Sequence, residues 1–217
     1  MMLPQPLIDA RCGPARPEPG SALCLVETDD DARAGIEAFI ARVYARRYGA
    51  RVTQFAPCLA GLRDQLSGQW LAAAGFRRAD EAPLFLERYL DAPVEVVLGR
   101  HQDQPVSRHE VVEVGHLAAE RAGAGRLLIP LLGQHLAEGP SRWVVSTLTQ
   151  ELRHLFVRMG VTPLALGSAD PAAVGEGLAD WGSYYEHGPV VLAGRLDAAL
   201  RLMQRRGARA DLQPGGW

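Results

Sequence analysis

The apolar positions of the chain fall into short runs and periodic stretches that alternate between strand and helix spacing. Residues 22–27 form a short apolar run ended by Thr28-Asp29-Asp30-Asp31, acidic residues that suit the positive end of a following helix. In that helix Ile36, Phe39, Ile40, Val43 and Tyr44 recur at the spacing of one buried face, and Gly49 marks its end. Residues 58–62 and 70–76 are apolar runs joined by the polar segment 63–68, which predicts a hairpin with a loose turn. The pattern then weakens. Residues 84–90 fit either a helix or a strand, and residues 93–99 fit one helical turn or two.

The second half is clearer. Residues 110–117 alternate, with Val112 and Val114 toward one side and Val111, Glu113 and Gly115 toward the other, which predicts a strand. Gly123-Ala124-Gly125-Arg126 then opens an apolar helical segment carrying Leu127, Leu128, Leu131, Leu132 and Leu136. Pro130 either sits in the first turn of that helix or kinks it, because an interior proline removes a backbone donor. Residues 143–148 read as a strand, with Thr149 as N-cap of a helix that buries Leu152, Leu155, Phe156 and Met159 and closes at Gly160. A strand over 163–166, a short helix over 172–181 and a last strand over 190–193 complete the order.

With no internal repeat, this succession predicts an α/β (α+β) fold: a mixed, mostly antiparallel sheet covered by helices. A length of 217 residues at 47% hydrophobic content suits one core. We therefore expect a single domain over 21–205, a disordered Pro-rich tail over 1–20 and a flexible tail over 206–217. A net charge of −2 leaves no positive excess for a phosphate backbone, which argues against nucleic acid as a partner. The three cysteines, Cys12, Cys24 and Cys58, lack the paired spacing of a disulfide framework or a zinc site, and a reducing, cytoplasmic setting fits them. No run approaches the roughly 20 apolar residues of a membrane span, so a soluble protein without an integral membrane segment is expected.

The most informative chemistry lies where the strand ending near Leu117 enters the Gly-containing loop and the next helix. Free N–H groups and the helix dipole make such a junction an anion site, and glycine lets the backbone approach a pyrophosphate. The loop resembles the Q/R-x-x-G-x-G/A motif with which GNAT acyltransferases hold coenzyme A. The register Glu120-Arg121-Ala122-Gly123-Ala124-Gly125 matches both small positions but places glutamate where the motif wants glutamine or arginine. A carboxylate beside a pyrophosphate is repulsive; either Arg121 and Arg126 compensate, or the donor is held differently, as on a carrier protein. The donor is expected on Val114, Gly115, His116 and Leu117 and on Gly123, Ala124, Gly125 and Arg126.

Glu113, mid-strand between two valines, is the expected catalytic base, since burial disfavours its charge and raises its pKa toward that of an amine's proton acceptor. The competing reading is a glutamate held by an arginine across the sheet. His116 shares the side of Glu113 only if a bulge occurs at Gly115. Tyr184 and Tyr185 are candidate proton donors to a departing thiolate, or else, with Trp181, an aromatic plug over the core. Arg77 is a candidate for a substrate carboxylate. Thr147 and Thr149 end a strand where a crevice would open, or are a β-former and a cap. Cys58 has no base near it in sequence and the six histidines show no ligand spacing, which argues against thiol and metal catalysis.

Several short motifs, in order along residues 22–195, resemble the family called thermostable hemolysins. They are Tyr48-Gly49-Ala50, the run from Leu84 to Asp91 with Pro93 and Glu95, Val112-Glu113-Val114-Gly115 with Leu117-Ala118, Leu152-Arg153 with Phe156 and Gly160, Ala169-Asp170, and Trp181-Gly182 with Tyr184-Tyr185. His116 stands where that family usually has asparagine. The resemblance implies a fold like that of GNAT acyltransferases and acyl-homoserine-lactone synthases, and hence an acyl thioester donor: acetyl or longer acyl coenzyme A, or an acyl carrier protein. The expected function is N-acyl transfer to the amine of a small molecule, an amino acid or a derivative. The alternative is a membrane-active, hemolysin-like or lipid-binding protein without turnover.

Overall fold

A computed structural model describes residues 21–121 and 123–211, with side chains to Arg205; the expected tail over 1–20, Ala122 of the loop, and residues 212–217 lie outside the described residues. Seven strands form one sheet in the order β1-β2-β3-β4-β5-β7-β6. They are β1 (Ser21–Val26), β2 (Cys58–Asp64), β3 (Trp70–Arg78), β4 (Val111–Ala119), β5 (Trp143–Leu148), β6 (Leu164–Ser168) and β7 (Val190–Arg195). Every neighbouring pair is antiparallel except β4 and β5, which run parallel. The helices are α1 (Arg33–Tyr48), α2 (Val94–Gly99), α3 (Ala124–Glu138), α4 (Gln150–Arg158) and α5 (Leu196–Asp211).

Strand alternation divides the core between the two faces of the sheet. On one face α1 packs Ile36, Phe39 and Ile40 against Leu59 and Ala73. Beside it, α2 and the preceding segment set Leu84, Leu86, Val94 and Leu98 on Val111 and Val145. On the other face α3 presses Leu128, Leu132 and Leu136 onto Ala60, Ala72, Val112 and Val114. Leu196 of α5 joins that second face. Burying a side chain such as Phe39 or Leu128 contributes about 1.5–3 kcal/mol.

Several expectations are corrected. Residues 84–90, undecided between helix and strand, form a 3₁₀ turn over Phe85–Tyr89. Pro130 lies past the first turn of α3, inside the helix, where it leaves the Arg126 carbonyl without its usual partner. No residue of α4 is buried; Leu152, Leu155, Phe156 and Met159 are only half-buried. The amphipathic spacing is real, but what α4 faces is cavity and not packed core. Residues 172–181 are 3₁₀ turns broken at Gly175 and not a regular helix. Helix α5 follows β7 where the sequence pattern above gives no element, and it continues to Asp211, into the segment expected as a C-terminal tail. Among the described residues no helix is long and apolar enough to cross a membrane.

Candidate active site

β4 and β5 pair only from Val111↔Trp143 to Glu113↔Val145. Beyond those positions the two facing edges have no strand partner, and the sheet opens into a cleft of about 510 Å³. Its wall carries nine of the expected site residues: Arg77, Glu113, Val114, Gly115, His116, Leu117, Thr147, Trp181 and Tyr184. Tyr185, Thr149 and the group Gly123, Ala124, Gly125 and Arg126 are not on that wall.

Glu113 is held at both oxygens. The Phe85 N–H donates to Oε2 at 2.8 Å and the Leu86 N–H to Oε1 at 3.0 Å. Burial raises its pKa above the usual carboxylate value, against the opposing pull of those two amides and of Arg77. Arg77 stands opposite Glu113 in register, yet its guanidinium donates to the Pro83 carbonyl at 3.2 Å. The cross-strand arginine therefore does not neutralise the carboxylate by an ion pair, and one lone pair on each oxygen remains for a ligand.

The amides that meet Glu113 belong to a strap, residues 84–95, that is itself pinned. Glu87 accepts from the N–H groups of Leu84 and Val94 at 2.9 and 3.1 Å and from Arg108 at 2.6 and 2.9 Å. Arg108 also donates to Glu95 at 2.7 Å and to the Ala79 carbonyl at 2.6 Å. The Arg108 bond, foremost, holds the Glu87 pKa down at about 2.

His116 reaches the cleft through the bulge that its role required. The register passes from Gly75↔Gly115 to Ala73↔Ala118, so β4 carries one residue more than β3. His116 itself has φ 52. Its Nε2 lies 3.1 Å from the Gln54 carbonyl, which assigns the proton to Nε2 and leaves Nδ1 buried without a partner. Burial, the main cause, lowers its pKa to about 4, so the ring is neutral at pH 7.

Two more polar atoms are orphaned at the end of β5. The hydroxyls of Thr147 and Thr149 are buried and lack hydrogen-bond partners, and such groups cost about 1–3 kcal/mol each unless a ligand or water satisfies them. Thr149 is at the N-cap of α4 as expected but makes no side-chain cap bond. Tyr184 is buried, stacks against Tyr44 and edges onto Tyr48, and donates to the Thr147 carbonyl at 3.2 Å. Burial pushes its pKa well above 10. Tyr185 shares a 2.5 Å hydrogen bond with the Tyr89 hydroxyl. The aromatic group is thus both plug and cleft wall: Trp181 lies 5.1 Å from Tyr184 and 5.6 Å from Phe85, ring centre to centre. Gly182 makes the approach possible, because a Cβ there would stand 2.1 Å from the Tyr48 carbonyl oxygen.

The loop before α3 solves the problem of its glutamate. Glu120 turns onto α1 and pairs with Arg46 at 3.0 Å and Arg42 at 3.5 Å, while Gly123, at φ 93, has no atom within 4 Å of where a Cβ would project. Gly125 lies between Ala119 at the end of β4 and Leu155 of α4. An anion arriving here meets a helix N-terminus with the carboxylate already neutralised. The fit to a thioester cofactor thus rests on this loop at one end and on the orphaned Thr147 hydroxyl of the cleft wall at the other.

Sequence reasoning missed Phe85, Arg88, Tyr89 and the segment 51–56, all on the cleft wall. The signal for the first three was the run from Leu84 to Asp91 among the family motifs, whose period left helix and strand undecided. Among the described residues no group of three or more His, Cys, Asp or Glu side chains is placed to hold a metal ion.

Solved structures with a related architecture include FeeM, an N-acyl amino acid synthase from uncultured soil microbes, at 10% identity, TM-score 0.59, covering 89% of this chain and 97% of that one. MesI, a CoA-dependent acyl-homoserine lactone synthase, matches at 14% identity and TM-score 0.52, covering 89% and 97%. A candidate N-acetyltransferase from Lactobacillus plantarum matches at 13% identity and TM-score 0.51, covering 82% and 99%. At these identities the likeness is one of fold, and the fold is GNAT-like. Comparison with curated protein sequences gives no match. The family model named thermostable hemolysin spans residues 26–200, and the chain belongs to that family.

Proposed function

We propose that this protein is an N-acyltransferase that moves an acyl group from a coenzyme A or carrier-protein thioester to the amine of a small molecule, an amino acid or a derivative. The observation that carries the proposal is the opening of the sheet between β4 and β5 directly past Glu113. Unpaired strand edges supply N–H groups for an oxyanion, and the carboxylate stands beside the gap. The names of FeeM and MesI, both acyl-transfer enzymes on this architecture, agree with it.

In this reading the donor phosphates rest on the backbone of Gly123 to Arg126, with Val114, Gly115, His116 and Leu117 along the pantetheine. The acceptor enters between Arg77 and Trp181. Arg77 has no carboxylate partner among the described residues, which leaves its fork for an acceptor carboxylate. The amine nitrogen attacks the thioester carbonyl, Glu113 takes the proton it sheds, and the C–S bond breaks. Tyr184, which burial keeps protonated, gives its proton to the departing sulfur. Thr147, on the cleft wall, offers its hydroxyl to a polar group of the substrates.

The exposed apolar side chains lend the membrane-active alternative little support. The six large ones among the described residues, Leu66, Val96, Leu127, Val157, Leu178 and Leu202, come from the turn between β2 and β3 and from five different helical segments. Incubating the protein with acetyl and longer acyl thioesters plus a panel of amino acids, and weighing the products, tests the enzyme reading. An amide product with release of free thiol is expected; the absence of product with every pair contradicts it.

A further inference from the structure

The cleft has a counterpart on the opposite face of the sheet. A cavity of about 90 Å³ lies between β4, β5 and β7 on one side and α3, α4 and α5 on the other. Its wall is made of residues such as Leu128, Leu132, Val144, Leu148, Phe156 and Leu192, and Ser146 is its only polar side chain. Val114 and Leu117 line both this cavity and the polar cleft. Both belong to β4 past Glu113, where β5 has parted from it. The two cavities therefore share part of their wall at the gap in the sheet.

Alternation along β5 gives each cavity its character. Thr147 lines the cleft, while Val144, Ser146 and Leu148 line the rear cavity. Helix α4 spans the same divide, with Leu152 on the cleft and Phe156 on the rear cavity, which explains why its apolar face meets so little packed core. A water molecule in the rear cavity would find almost no hydrogen-bond partners, whereas an apolar chain loses nothing by entering.

Resting on the acyltransferase reading, we propose that the rear cavity holds the acyl chain of a fatty-acyl thioester whose carbonyl lies in the β4–β5 gap, and that α5 forms its end wall. Ala199, Leu200 and Met203 are that wall. Gly133 of α3 lets α5 come close: a Cβ there would stand 3.2 Å from Leu200 Cδ2. Ala199 and Leu200 lie within the family match, which ends at residue 200, and Met203 lies beyond it. At about 30 Å³ for each water-sized group, the cavity takes roughly three such groups, which selects a chain of about four to six carbons over acetyl. Each methylene buried there strengthens binding by about fourfold.

The test uses the full chain and a series of acyl coenzyme A thioesters from two to sixteen carbons, read in two ways. Equilibrium binding is expected to tighten with chain length up to about four to six carbons, with hexanoyl coenzyme A at least tenfold tighter than coenzyme A. In turnover, Ala199→Phe is expected to lower the hexanoyl-to-acetyl ratio of kcat/KM tenfold or more. Met203→Ala is expected to move the optimum to longer chains. Opposite shifts in the two variants are not produced by misfolding. Binding that is flat with chain length overturns the proposal even if acetyl transfer occurs. A chain-length optimum that neither variant moves overturns the role of α5. Chain-dependent binding without any product overturns the acyltransferase reading and leaves the apolar site standing.

Discussion

The strap of residues 84–95 and the loop of residues 120–126 each carry a glutamate, and they use it in opposite ways. Glu87 turns inward and is consumed by two backbone amides and both terminal nitrogens of Arg108. Glu120 turns outward onto Arg42 and Arg46 and leaves the backbone at Gly123 open. The first arrangement fixes a backbone so that it can fix Glu113. The second turns a carboxylate away from the loop on which the proposed donor phosphates would rest. The strap is rigid by construction, while the loop is kept clear of carboxylate.

The largest effect should come from the rigid end. Glu113→Gln is expected to lower kcat by about 10²–10⁴, with donor binding changed by less than about threefold. Steady-state kinetics and direct titration of donor separate the two. An unchanged rate would show that Glu113 only anchors the strap. Arg108→Met breaks the pin one step back: Glu87 and Glu95 lose their shared cation, at a cost of about 2–4 kcal/mol, read by denaturant unfolding. The rate should fall with it, since Phe85 and Leu86 no longer hold the carboxylate in place.

The open end should answer differently. Gly123→Ala forces a side chain into a left-handed backbone at a cost of about 1–2 kcal/mol. Donor KM is expected to rise several-fold while kcat stays within about twofold. If both variants, Arg108→Met and Gly123→Ala, changed the same kinetic constant, the division of labour between strap and loop would be wrong.

The smallest effect concerns pH. His116 is folded as a neutral ring with a pKa of about 4, below its unfolded value of 6.5. The unfolded chain therefore binds the proton first, so stability is full above about pH 6.5 and falls as pH drops toward 4. His116→Gln should flatten the unfolding free energy across that window. Glu113 has the opposite sign, its pKa being raised, so the acid limb of the rate profile should lie above the ordinary carboxylate range.

What the sequence disclosed was what period alone can show. The alternation of residues 110–117 placed Val111 and Glu113 on one face and Val112 and Val114 on the other, as β4 does. The 3, 4, 7, 8 spacing of Ile36 to Tyr44 gave α1, and Trp143–Leu148 was read to the residue. Period does not say what lies opposite an apolar face. Leu152, Leu155, Phe156 and Met159 carry the mark of a core helix, yet α4 looks onto cavities. Long-range partners were equally hidden. The amides that meet Glu113 come from 27 and 28 residues away, and nothing in the undecided pattern of residues 84–90 announced them. Of the two adjacent phenols, only folding separates Tyr184, on the cleft wall, from Tyr185, occupied by Tyr89. Leu196, Leu200 and Met203 do recur at helical spacing, and that signal for α5 was there to be read.

A structure with a non-hydrolysable acyl thioether analogue of coenzyme A tests the central claim most directly. The account predicts the acyl carbonyl in the gap between β4 and β5, within hydrogen-bond reach of an unpaired strand amide, and the phosphates against Gly123 and Gly125. An analogue seated elsewhere, with the gap past Glu113 empty, would contradict it.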